Sequence, residues 1–220
     1  MTSLQPLGDQ AALAHFADET DALRFVAAVR RRGPAWLVDV VQAYVSVAVF
    51  YDADQTGYAA VADLLRELAS ARTAETAVAH GQLHRIPCCY ELTLDLQRVA
   101  EHTGLSADEV IRLHAETVYT VYAIGFCPGF PYLGYLPPAL TGVPRLESPR
   151  TRLAAGSVGL TGRQTGIYTE ARPGGWNIVG RTPLELVHVA DGYFPLRTGD
   201  RVQFQRIDEA EFRRLEGQRL

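Results

Sequence analysis

The sequence predicts an α+β protein of two parts, a small N-terminal α/β sandwich over residues 1–82 and a β-barrel over residues 83–220. Three observations predict it. The first part runs helix, hairpin, helix, an order that suits helices packed on one small sheet. The second part carries many short apolar runs parted by glycine and proline, the pattern of a closed or partly closed barrel. Eleven of the 19 glycines fall between Gly125 and Gly180, where they build shaped loops and short strands instead of long helices.

The elements follow in order. Ala11 to Phe16 reads as a short strand. Asp21 to Arg32 is an amphipathic helix with Leu23, Val26, Ala27 and Arg30 at helical spacing, and Gly33-Pro34 stops it. Trp36 to Val41 and Tyr44 to Phe50 are the arms of a hairpin, rich in valine and aromatics and joined around Gln42. Tyr58 to Leu68 fits a second helix. Thr73 to Gln82 has no periodicity and is the expected linker. Arg85 to Tyr90 opens the second part as a strand, and Asp95 to His102 is a helix closed near Gly104. Ser106 then caps another helix, with Glu109 placed for a capping box, and that helix runs to Ala115. Beyond it, Val118 to Ile124, Ser157 to Leu160, Gly166 to Tyr168, Trp176 to Val179, Leu184 to His188 and Arg201 to Arg206 are strands. Gly199-Asp200 is the turn before the last of them, and Glu209 to Leu215 is a small helix.

Composition narrows the function classes. Hydrophobic residues make up 47% of the 220 and charged residues 21%, ordinary values for a globular protein. A formal charge of −4, with no extended run of like charge, argues against a nucleic-acid surface. All 21 basic side chains are arginine. A Schiff-base lysine, a lysine general base and a Walker-type phosphate lysine are therefore excluded. Met1 to Asp9 lacks the basic and apolar regions of a secretion signal. No apolar segment approaches the ~18–20 residues that span a bilayer. Cys88, Cys89 and Cys127 have neither the number of a disulfide framework nor the spacing of a paired metal motif. The expectation is a reduced cytoplasmic protein without nucleic-acid or membrane partners and with no tightly bound metal.

Several residues are candidates for chemistry. His114, near the end of its helix, either exchanges a proton near neutral pH or sits partly exposed against the terminal carbonyls. Cys127 is a nucleophile only beside a base or positive charge, and otherwise a small buried thiol. Arg150 and Arg152 project to one face of an extended segment and suit an anion clamp, which Arg172 and Arg181 would complete; surface salt bridges account for each of them equally well. Thr161, Gln164, Thr165 and Tyr168 offer hydroxyls and an amide for a planar amide or carboxylate, with Trp176 as a wall or as turn packing.

The run Gly125-Phe126-Cys127-Pro128-Gly129-Phe130-Pro131-Tyr132-Leu133-Gly134 resembles the signature of the allophanate hydrolase subunit 1 family. The resemblance continues through Pro144-Arg145, Pro149-Arg150-Thr151-Arg152, Ala155-Gly156-Ser157-Val158, Gln164-Thr165-Gly166-Ile167-Tyr168 and Pro173-Gly174-Gly175-Trp176 to Gly180-Arg181-Thr182-Pro183. It ends at Gly199-Asp200-Arg201-Val202-Gln203-Phe204, and covers Arg85 to Ile207. The turn after Tyr90 departs from the family pattern by being shorter.

The resemblance implies a cyclophilin-like form of the barrel. It implies hydrolysis of 5-oxo-L-proline to L-glutamate with ATP as cosubstrate, with or without magnesium. The partners would be the C and A components of a multisubunit 5-oxoprolinase. It puts His114, Arg152 and Gln164 in catalytic positions and Arg150, Thr165, Tyr168, Arg172, Trp176 and Arg181 in substrate contact. The same family also implies two alternatives, inhibition of an autophosphorylating sensor histidine kinase and a noncatalytic role in an amidolyase-related complex.

Overall fold

The computed structural model describes residues 1–71 and 81–220. Most of the expected linker, residues 73–80, lies outside the described residues. The chain divides into two compact units, Met1–His80 and Gly81–Leu220.

The N-terminal unit contains β1 (Ser3–Pro6), β2 (Ala11–His15), α1 (Glu19–Arg32), β3 (Leu37–Ala43), β4 (Ser46–Tyr51) and α2 (Tyr58–Ser70). Its strands form an antiparallel sheet in the order β1-β2-β4-β3. Val40, Val47 and Val49 from the sheet share a core with Phe25, Val26 and Val29 of α1 and with Val61 and Leu65 of α2. The helix α1 starts two residues ahead of the sequence expectation. Asp18 supplies the reason, because its carboxylate accepts the Asp21 N–H at 2.9 Å and caps the end. At the far end Gly33 takes φ 51°, and its N–H closes on the Val29 carbonyl.

The hairpin turn is displaced from its expected place. Ala43 faces Ser46, so the turn is Tyr44-Val45, and Gln42 belongs to β3. The Gln42 side chain is buried, and its Nε2 donates to the Tyr44 carbonyl at 3.0 Å. A polar residue that sequence reading assigned to the turn instead braces the turn from within the sheet.

The C-terminal unit contains β5 (Leu83–Cys89), α3 (Leu96–Thr103), α4 (Ala107–Glu116), β6 (Val118–Ile124), β7 (Pro131–Gly134), β8 (Arg150–Leu153), β9 (Ser157–Thr161), β10 (Gln164–Ile167), β11 (Arg172–Gly174), β12 (Asn177–Arg181), β13 (Arg201–Ile207) and α5 (Glu209–Leu215). Seven strands run β6-β13-β5-β12-β9-β10-β7, and pairing of β7 with β6 closes the barrel. β13 and β5 are parallel, and the other neighbours are antiparallel. β8 and β11 form a separate two-stranded ribbon.

Alternation of side chains fills the interior. Val158 and Leu160 of β9, Ile167 of β10, Leu133 of β7 and Phe204 of β13 join Val99 of α3 and Val110 of α4 in one core. The α4 capping box forms as expected, with Ser106 Oγ accepting the Glu109 N–H at 3.2 Å and Glu109 accepting the Ser106 N–H at 2.8 Å.

Leu184 to His188 is not a strand. It makes isolated bridges only, Glu185 with Arg219 and His188 with Tyr193. Strands β1, β7, β8 and β11 were not expected from the sequence. The last three are three or four residues long and lie among prolines and glycines, where a period of two has no room to show. No helix among the described residues is long and apolar enough to cross a membrane.

Candidate functional site

Helical spacing places Val110, Ile111 and His114 on the buried face of α4. His114 is fully buried, 0% exposed, and not at a solvent-facing helix end. Its Nε2 lies 3.0 Å from Thr165 Oγ1, and its Nδ1 lies 2.8 Å from the Tyr90 hydroxyl. Thr165 spends its own proton on the Gly159 carbonyl at 2.9 Å. Its oxygen must therefore accept from His114 Nε2–H, which leaves Nδ1 to accept from Tyr90 O–H. The ring stacks on Phe204 with centroids 4.7 Å apart. Burial lowers the His114 pKa to about 3. Burial pushes the Tyr90 phenol well above its ordinary value, and the neighbouring Cys88 adds to this. The chain Tyr90–His114–Thr165–Gly159 is thus a neutral relay tying α4 and β5 to β9 and β10. It is not placed to trade protons with a solute near pH 7.

The four expected anion-binding arginines do not converge. Arg150 forms a bidentate pair with Asp95, at 2.9 and 2.7 Å, and Asp95 also accepts the Ile178 N–H at 2.7 Å. Arg181 donates to the Ala155 carbonyl at 2.9 Å, with its guanidinium 5.3 Å from the Phe212 ring centroid. Arg172 is engaged by Glu170 through Nε at 3.0 Å and Nη2 at 2.5 Å. Arg152 is exposed, with no ion pair among the described residues.

The polar set on β10 is also divided. Thr165 points into the barrel and Gln164 is half-buried at the start of the strand. Tyr168 lies four residues on, ~13 Å along an extended chain. Gln164 and Tyr168 therefore stand at opposite ends of this segment. Thr161 is buried and donates to the Val143 carbonyl at 3.2 Å.

What the fold does gather is an aromatic face on the outside of the barrel. Cys127, Phe130, Leu153, Tyr168, Trp176 and Ile178 form its buried layer, with Tyr132 packed against them. Phe130 is the hub. Its ring meets Tyr132 at 4.9 Å, Tyr168 at 5.3 Å and Trp176 at 5.5 Å, each edge-on. Glycine makes the approach possible. A Cβ at Gly166 would stand 2.9 Å from Phe130 Cζ and 2.8 Å from the Pro131 carbonyl oxygen. Phe126 edges onto Phe130 and Tyr168, yet it is 59% exposed and held at φ 69°. A bulky residue kept in the left-handed region at a surface is a strained conformation that tends to mark a functional loop. Cys127 Sγ is 3.5 Å from Thr169 Oγ1, whose own proton goes to the Pro128 carbonyl at 2.7 Å.

Arg145 is a positive charge on this face without an ion pair among the described residues. It lies close enough to Tyr132 and Tyr168 to favour their ionised forms, although burial dominates and raises both phenols. Phe130 and Tyr132 lie in one sequence motif and Arg145 in another, and their order along the chain does not join them as a site. The alternation on β7, with Leu133 inward and Tyr132 outward, was the available signal. Among the described residues no cluster of His, Cys, Asp or Glu has the makings of a metal site.

Comparison with known proteins gives the family of the chain. The family described as the carboxyltransferase domain, subdomain C and D, matches residues 2–192. A Bacillus subtilis protein, named as the B component of 5-oxoprolinase, is 35% identical over 95% of this chain and 94% of that one. An Escherichia coli O157:H7 protein of the same name is 50% identical over 50% of each chain. Among solved structures, TTHA0988 superposes with a TM-score of 0.78 at 35% identity, over 91% of this chain but only 40% of its own length. The Kluyveromyces lactis urea amidolyase shares the fold, with a TM-score of 0.70 at 19% identity over 96% of this chain and 15% of that one.

Proposed function

The chain belongs to the family of carboxyltransferase subdomains C and D, and on that premise we propose that it acts as the B component of an ATP-dependent 5-oxoprolinase. The observation that carries this reading is the end-to-end match with the Bacillus subtilis protein of that name. The reaction is hydrolysis of 5-oxo-L-proline to L-glutamate, coupled to ATP hydrolysis. A lactam amide is a poor electrophile. Transfer of the γ-phosphoryl group of ATP to its oxygen, with ADP leaving, makes the ring carbon open to water. The ring C–N bond then breaks to give an acyl phosphate, which a second water hydrolyses to glutamate and phosphate.

This chain has no lysine to hold a polyphosphate, and its 21 basic side chains are all arginine. A site completed by the C and A components is therefore the reading, with ATP and any accompanying magnesium bound in the assembly. Arg152 and Gln164 contribute where they reach solvent. His114 acts through Thr165 and not on the substrate. Three free cysteines agree with a reduced, cytoplasmic setting.

The test is glutamate release from 5-oxoproline, with and without ATP, by this chain alone and with the A and C components added. Release is expected only from the full mixture with ATP. A verified, folded assembly that releases none overturns the reading.

A further inference from the structure

The outer aromatic face has one feature that packing alone does not explain. Arg145 is exposed and makes no ion pair or hydrogen bond among the described residues. Its backbone is nevertheless fixed on both sides. Asn177, fully buried, donates through Nδ2 to the Pro144 carbonyl at 2.9 Å, and the Leu146 N–H reaches the Gly175 carbonyl at 2.8 Å. A side chain with many rotamers thus stands on a rigid base beside Tyr132 and Tyr168. Tyr132 is half-buried, and its hydroxyl has no hydrogen-bond partner among the described residues. Tyr168, by contrast, is buried at 2% exposure. A free guanidinium, the more accessible Tyr132 O–H and the exposed Phe126 ring lie around the same buried hub.

We propose that this face is a subsite for a small monocarboxylate carrying a flat amide ring, with Arg145 holding the carboxylate and Tyr132 donating to the ring carbonyl. Among the named substrates of the reaction read above, 5-oxoproline has this chemistry, and the choice of ligand rests on that reading. The charge count favours one carboxylate over a polyphosphate. Arg172, the other cation of this face, is already matched by Glu170, so a single positive charge remains to be satisfied. The phenol stays protonated and able to donate, because burial raises the Tyr132 pKa.

The experiment uses the full chain with Trp36→Phe, which leaves Trp176 as the sole indole reporter. Its emission is followed while 5-oxoproline, or the neutral carboxamide of 5-oxoproline, is added. The parent should bind the acid at least about tenfold more tightly than the carboxamide, the loss expected for one charge-assisted pair. Arg145→Gln should erase that preference, and Arg145→Lys should restore part of it. A parent that binds neither ligand, or a preference for the acid that survives in Arg145→Gln, overturns the subsite.

Glutamate release by the assembled enzyme is read separately. Release without Arg145-dependent binding removes the subsite and leaves the proposed function. Arg145-dependent binding without release does the reverse.

Discussion

At the scale of single residues, His114 shows how burial reassigns a side chain that chemistry alone would call a catalyst. An unfolded histidine takes up its proton near 6.5, whereas folded His114 does so only at about 3. Between these values the unfolded chain binds the extra proton. The stability this residue supports is complete above 6.5 and is lost as pH falls toward 3, by about 1.4 kcal/mol per pH unit. Carboxylates titrate in the same window, so the prediction concerns a difference between proteins. His114→Gln should be less stable than the parent at neutral pH by about 1–3 kcal/mol, from imperfect partners for Tyr90 and Thr165. It should also lose less stability on acidification to pH ~5. Urea denaturation at several pH values checks this, and parallel pH profiles for the two proteins would contradict it. The sequence made His114 visible as a titratable group in the right family motif. It did not show the ring stacked on Phe204, because β13 lies far along the chain from α4.

At the scale of elements, legibility followed the length of the pattern. α1, α2, α4 and β13 each span seven or more residues, and their periodicity was readable, as were the Gly33 stop of α1 and the Ser106 cap of α4. β7, β8 and β11 were not, since three- or four-residue strands among Pro and Gly owe their conformation to their neighbours. The same limit split the expected site. Residues close in sequence around Gln164 diverge across the pleat, whereas Arg145, Tyr132 and Trp176 meet only once the barrel closes.

The Asp95–Arg150 pair is the fastening between α3, β8 and β12. Asp95 is 7% exposed and serves both Arg150 and the Ile178 N–H. Removing the arginine strands a carboxylate that cannot reach water, while removing the acid frees an arginine that can. Arg150→Gln should therefore cost about 3 kcal/mol, the low end for a broken buried pair. Asp95→Asn, whose amide oxygen can still accept from Ile178, should cost less. Chemical denaturation of both variants and the double mutant measures the order, and the reverse order would show that the pair is not what holds the segment.

At the scale of the whole molecule, the absence of lysine becomes an experimental handle. Charge recognition by this chain falls to guanidinium and backbone groups, so the two classes of basic side chain can be separated by reagent. Treating the purified chain with an amine-acylating reagent before assembly should leave glutamate release unchanged, because its 21 basic side chains are arginine. Treating it with an arginine-selective dicarbonyl should abolish release. Added 5-oxoproline should slow that loss if Arg145 lies in the substrate subsite. Mass spectrometry then ranks the modified arginines. Arg150 and Arg181 are held by Asp95 and by the Ala155 carbonyl and should react slowly, while Arg145 and Arg152 are exposed and should react first. If substrate protects Arg152 and not Arg145, the anion is held at β8, and the aromatic face serves another purpose.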